Sequence, residues 1–202
     1  MTRAALGCRA HSGWAALVAV ASLDGELAVI ERRRIELAHP SVEGFPQPYH
    51  AAEGLTLTRA AELVNTCIRA ANDTAKEALA RAVDDLRGRG FQVKVCGILA
   101  GSGRPLPAFD KILASHALLH TAEGEMFRDA LRHGAACNKL SVAAIRERAA
   151  WEDAALALGA AAATLEAKVA GMGRGLGPPW RQDQKLATLA AWAALGPGIG
   201  RH

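Results

Sequence analysis

The chain has 202 residues, half of them apolar and 22% charged, which fits one globular domain with a single substantial core, carrying alanine-rich C-terminal helices from about residue 149. Its net charge of +4 fits a nucleic-acid partner, but so small an excess is common on ordinary soluble surfaces, which is the leading reading. No charged-then-apolar leader opens the chain, and the alanine-rich stretch from Ala154 to Ala163 lacks the roughly 18 strongly apolar residues of a membrane span; no membrane partner and a cytoplasmic location are therefore expected.

From Ala4 to Leu37 short apolar runs of period two are broken at His11-Ser12-Gly13 and at Asp24-Gly25, the second a strong hairpin signal. This predicts three antiparallel strands, about Arg3 to Arg9, Trp14 to Leu23 and Glu26 to Leu37. The distal half of the third is polar on both sides, through Glu31, Arg32, Arg33, Arg34 and Glu36, as at an exposed end or a sheet edge. An irregular connection, His39 to Tyr49, contains Pro40, Gly44, Pro46 and Pro48. The stripe Ala61, Val64, Ile68, Ala71, Ala75, Leu79, Val83 and Leu86 predicts a helix from Thr58 to Arg89, stopped by Gly88 and Gly90. Phe91 to Leu99 is a buried strand, and Gly101 to Pro105 a loop. A single long helix is expected from Pro107 to Ala136, then a short strand from Leu140 to Ile145, a helix from Ala149 to Val169 and a glycine-rich loop from Gly171 to Pro179. A final helix runs from about Trp180 to Leu195 and ends at Gly196-Pro197.

On the long helix His116, His120 and Glu123 fall on the face of Ile112, Leu119, Met126, Phe127 and Ala130. Polar groups aimed at a core need partners, so this face is either a closed hydrogen-bonded network or the wall of a site. Two imidazoles at i, i+4 with a carboxylate at i+7 also form a ligand set suited to zinc or non-haem iron. The pattern H-x-A-E-G that holds His120 and Glu123 recurs at His50 and Glu53, at a loop-to-helix junction. Gly101-Ser102-Gly103-Arg104 reads as a strand-to-helix turn or an anion cradle, and lacks a nucleotide fingerprint. Arg32 to Arg34 read as a solvated strand end or a nucleic-acid contact. Asp183 suits first-turn dipole stabilisation as well as a site. Cys8, Cys67, Cys96 and Cys137 show no C-x-x-C pairing and are expected reduced and buried; Cys8, Cys96 and Cys137 could serve as soft metal ligands only if the fold gathered them.

Three strands, helix, strand, helix, strand and closing helix is the element order of the ribonuclease H-like fold. The run Leu6-Gly7-Cys8-Arg9-Ala10-His11-Ser12-Gly13-Trp14-Ala15, followed by the D-G hairpin, resembles the resolvase branch of that superfamily, and Asp183 before an Ala/Leu-rich run resembles its final acidic helix. The resemblance implies an α/β domain with a mixed five-stranded sheet flanked by helices. In active members it also implies two divalent ions held between three or four carboxylates. Here the first-strand aspartate would fall at Cys8 or Arg9, the carboxylate after the Phe91 to Leu99 strand is replaced by Ala100-Gly101-Ser102, and only Asp183 stands at a matching place. The resemblance thus implies a degenerate or repurposed member that binds nucleic acid or another phosphate-bearing ligand without standard two-metal chemistry. Arg9, Arg33 and Arg104 would supply charge, with His11 and Ser12 at the strand turn. Two alternatives stay open. One is a metal-dependent hydrolase whose catalytic and metal-binding residues are His116, His120 and Glu123, joined by His50, Glu53 or Asp183. The other is a structural protein that assembles, as a homo-oligomer or with a partner, through its alanine-rich helices. A divalent metal is the one cofactor these readings suggest.

Overall fold

The computed structural model describes residues 1–196; the expected stop at Pro197 lies outside them. Strands β1 (Thr2–His11), β2 (Trp14–Leu23) and β3 (Glu26–Glu36) form an antiparallel meander, and the D-G turn between β2 and β3 holds Asp24 and Gly25 at positive φ. Helices α1 (Pro48–Ala51) and α2 (Leu57–Gly88) lead to β4 (Phe91–Ala100). Then come α3 (Phe109–Leu113), α4 (His116–Cys137), β5 (Ser141–Arg146), α5 (Ala150–Leu158), α6 (Ala162–Leu176) and α7 (Gln182–Leu195). The sheet order is β3-β2-β1-β4-β5, with β4 parallel to both β1 and β5. This is the mixed five-stranded α/β architecture expected from the element order.

Side-chain alternation divides the core in two. Ala4, Leu6, Cys8, Cys96 and Ile98 face α2 and α4 in one layer, where Leu79, Leu86, Leu119, Phe127 and Leu131 are fully buried. Ala5, Val18, Val20 and Leu99 face the opposite layer of α5, α6 and α7. That second face is built for a close approach. Gly7 and Gly97 are register partners on β1 and β4, and a Cβ on either would lie 1.9 Å from the Ala187 carbonyl or 2.1 Å from that of Ala190. The alanine-rich α7 therefore lies with its backbone almost on the sheet, as strand glycines permit.

Three expected elements differ. The helix from Pro107 to Ala136 is two helices, because Ser115 takes extended angles (φ −140°, ψ 112°) as the N-cap of α4 and its carbonyl accepts the amides of Leu118 and Leu119. The helix from Ala149 is interrupted where Gly159 turns left-handed (φ 62°, ψ 43°), and α6 then continues to Leu176 through the stretch expected to be loop. The carbonyls at its end are met by Arg32, whose guanidinium donates to Leu176, Gly177 and Pro179 at 2.6, 2.8 and 2.6 Å. Finally, Cys137 is exposed, at the end of α4, while Cys8, Cys67 and Cys96 are buried; the three cysteines considered as soft ligands do not gather. Among the described residues no single helix is long and apolar enough to cross a membrane.

Two outcomes follow from this packing. Gly7→Ala forces β1 and α7 apart and should lower the unfolding free energy by about 3 kcal/mol in a denaturant titration, the upper part of the range for overpacking. In a thiol-reagent assay of the native protein, Cys137 should react first. The Cys8 thiol is pushed well up by its contact with Cys96 (Sγ–Sγ 3.9 Å) and by burial, and the Cys67 thiol is raised by burial, so these should react only on unfolding.

Candidate functional site

The chemistry-bearing side chains gather in two places on either side of α4. The first lies where β1, β4 and β5 end. Alternation along β1 puts Arg9 and His11 on the same side as Gly7, toward α7. Arg9 donates through Nε and Nη2 to Glu147 Oε1 at 2.9 and 2.7 Å and through Nη1 to Asp183, in the first turn of α7. His11 Nε2 stands 2.9 Å from the same Asp183 oxygen, and its ring stacks on Trp14 at 4.2 Å. Glu125 reaches in from α4 over Gly101, where a Cβ would lie 2.0 Å from its Oε1. Arg128 bridges Glu125 (3.1 Å) and Glu147 (3.6 Å), and Arg132 stands 3.8 Å from Glu125.

Three carboxylates therefore do converge at the sheet end, but three guanidiniums already share them. Arg9 keeps only 16% of its side chain exposed and occupies the space between Glu147 and Asp183. A donor set neutralised in this way does not fit a pair of divalent ions, which need open carboxylate oxygens on a site of net negative charge.

Beside this network a cleft of about 750 Å³ opens, lined among others by Gly101, Ser102, Arg104, Arg128, Arg146 and Arg148. Arg146 is held by Asp153, whose carboxyl it keeps below the ordinary range through a side-chain bond of 2.5 Å and a backbone bond of 2.9 Å. Arg104 and Arg148 are exposed and form no ion pair among the described residues.

The second place lies between α1 and the first two turns of α4. His50, His116 and His120 converge there, with ring centroids 4.5 to 5.1 Å apart. The Nε2 atoms of His116 and His120 are 3.1 Å from one another. Behind them Glu123 is 1% exposed, and its Oε1 accepts the His50 backbone amide at 3.2 Å and faces His50 Nδ1 at 2.9 Å. Its Oε2 is buried with no hydrogen-bond partner among the described residues. Short α1 is fixed by its buried Pro48 and Tyr49, the latter against Phe109 at 6.3 Å.

Of the residues read from sequence, the structure thus brings together His50, His116, His120 and Glu123 in one cluster, and Arg9, His11 and Asp183 in another. His116 and His120 are exposed instead of core-facing. Ser12 is exposed at the β1–β2 turn and Glu53 is exposed outside the histidine cluster. Arg33 is engaged by Glu31 (2.9 Å) and Asp85 (2.8 Å), and Arg34 lies over the Trp14 ring, so neither stands free at the edge strand. Sequence reasoning missed Glu125, Arg128 and Glu147. The available signal was Gly101 itself, since a glycine after a strand often marks something passing close.

No family model matches the chain, and no curated protein is similar to it by sequence. Solved structures are similar in fold. RuvC of Thermus thermophilus in complex with a Holliday junction substrate has a TM-score of 0.53 at 10% identity, with 95% of this chain and 91% of that chain covered. A second Thermus thermophilus RuvC structure gives 0.50 at 13% identity, covering 94% and 92%. The fold is ribonuclease H-like. Its solved neighbours belong to the resolvase branch named from the β1 motif and the element order.

The ribonuclease H-like sheet end makes the role of Arg9 measurable. Arg9→Ala leaves Glu147 and Asp183 facing each other in a mostly buried setting and should cost about 2–3 kcal/mol by chemical denaturation. Adding Asp183→Asn should restore part of the loss, with a coupling of about 0.5–3 kcal/mol; strict additivity would show that the two do not interact.

Proposed function

We propose that this protein is a nucleic-acid-binding member of the ribonuclease H-like fold whose sheet-end centre binds phosphate backbone without two-metal cleavage. The observation that carries the reading is Arg9, set between Glu147 and Asp183 where a metal-dependent member would need open carboxylates. Arg9 fills that place with a paired guanidinium and so leaves no open carboxylate pair for a metal cluster, while free forked guanidiniums beside it match phosphate geometry. The adjoining cleft adds Arg104 and Arg148 as unpaired cations, with Arg128 and Arg146 held in place by Glu125 and Asp153. Similarity in fold to a protein solved on a Holliday junction substrate makes branched DNA the first ligand to test.

Fluorescence anisotropy with a four-way DNA junction and a linear duplex should detect binding at low salt, with log K falling linearly against log salt. Arg104→Ala/Arg148→Ala should weaken binding at least tenfold and reduce the slope by roughly 1.8, or about 0.9 per lost phosphate contact. No binding at low salt would remove the reading. Junction cleavage on adding magnesium or manganese would overturn its non-cutting part.

A further inference from the structure

We propose that His50, His116 and His120 form a zinc site, independent of the sheet-end centre, with Glu123 as the carboxylate behind it that orients His50. One ligand atom from each histidine lies within 4.8 Å of the other two. With zinc–nitrogen bonds of about 2.0–2.1 Å, two ligand nitrogens of a tetrahedral ion stand roughly 3.3 Å apart. The 3.1 Å between the Nε2 atoms of His116 and His120 is already close to that edge. Both residues sit on α4 one turn apart, so the helix itself sets their spacing.

The third ligand is positioned from behind. Glu123 Oε1 is 2.9 Å from His50 Nδ1, which makes Nδ1 the donor and leaves the Nε2 lone pair pointing away from the carboxylate, the arrangement by which outer carboxylates orient metal-bound imidazoles. Glu123 thus acts through His50 and is not itself a ligand.

The burial of Glu123 is a second and independent indication. A carboxylate 1% exposed, with one oxygen unpartnered and no Lys or Arg paired to it among the described residues, is costly in a protein interior. A divalent charge beyond His50 offsets that cost through the imidazole. Three neutral imidazoles without a thiolate suit zinc and its neighbours in the transition series and do not suit magnesium or calcium. His116 and His120 are exposed, so a fourth position faces solvent and is open to water or an anionic oxygen.

Zinc binding to the untagged full-length protein tests this, with zinc alone as the probe in chelator competition and cobalt(II) absorption as the geometric readout. The expected result is one equivalent per chain with intense tetrahedral cobalt bands. His116→Ala and His120→Ala, exposed positions whose folding is checked by circular dichroism, should each weaken binding at least 100-fold. Glu123→Gln should weaken it 10- to 100-fold while keeping tetrahedral bands, as an orienting residue would. Glu53→Gln should leave it unchanged. Less than about a tenth of an equivalent in the wild type, or equal binding by the His116→Ala/His120→Ala double variant, would overturn the site. Because zinc alone is the probe, these outcomes do not depend on whether the protein binds nucleic acid.

Discussion

The molecule depends on how closely α7 can approach the sheet. Gly7 on β1 and Gly97 on β4 stand side by side, and the carbonyls of Ala187 and Ala190 occupy the space their side chains would fill. With α7 at that depth, Asp183, one turn before Ala187, comes level with Arg9, two residues beyond Gly7. A larger residue at either glycine would lift the helix, and the ion pair joining Arg9 to Asp183 would lose its geometry. Packing and site are set by the same two missing side chains.

Around that contact the sheet end holds a balanced ionic network. Glu125, Glu147 and Asp183 come from three different elements, and each meets an arginine. Glu125 reaches this end of β4 by crossing over Gly101 from α4. On the other side of α4 the histidine cluster shares no side chain with this network. The 3.6-residue period turns Glu125 and Arg128 toward the cleft and His116, His120 and Glu123 toward α1.

Much of this was legible in the residues. Period-two runs and the Asp24-Gly25 turn gave the meander. The 3.6-period stripe of α2 gave a helix within a residue of its observed ends, and the motif around Gly7 to Trp14 pointed to the fold. Periodicity also singled out Glu123 and the two histidines on α4. It could not reveal that His50, 73 residues earlier, meets Glu123, because facing is a local property and partnership is not. The same limit hid Glu147 and Arg128. The break at Ser115 escaped because an apolar stripe continues on both sides of it, and only the backbone angles separate α3 from α4.

The position of α7 also constrains how the molecule is made. Gly7 and Ala187 stand near opposite ends of the described chain, yet their contact seats α7 on the sheet face that α5 and α6 help to cover. A nascent chain can pair its first three strands early through local hairpins, but the face carrying Ala5, Val18, Val20 and Leu99 stays bare until α7 has emerged. During synthesis this protein therefore carries an apolar sheet face that is not fully covered until its last helix arrives.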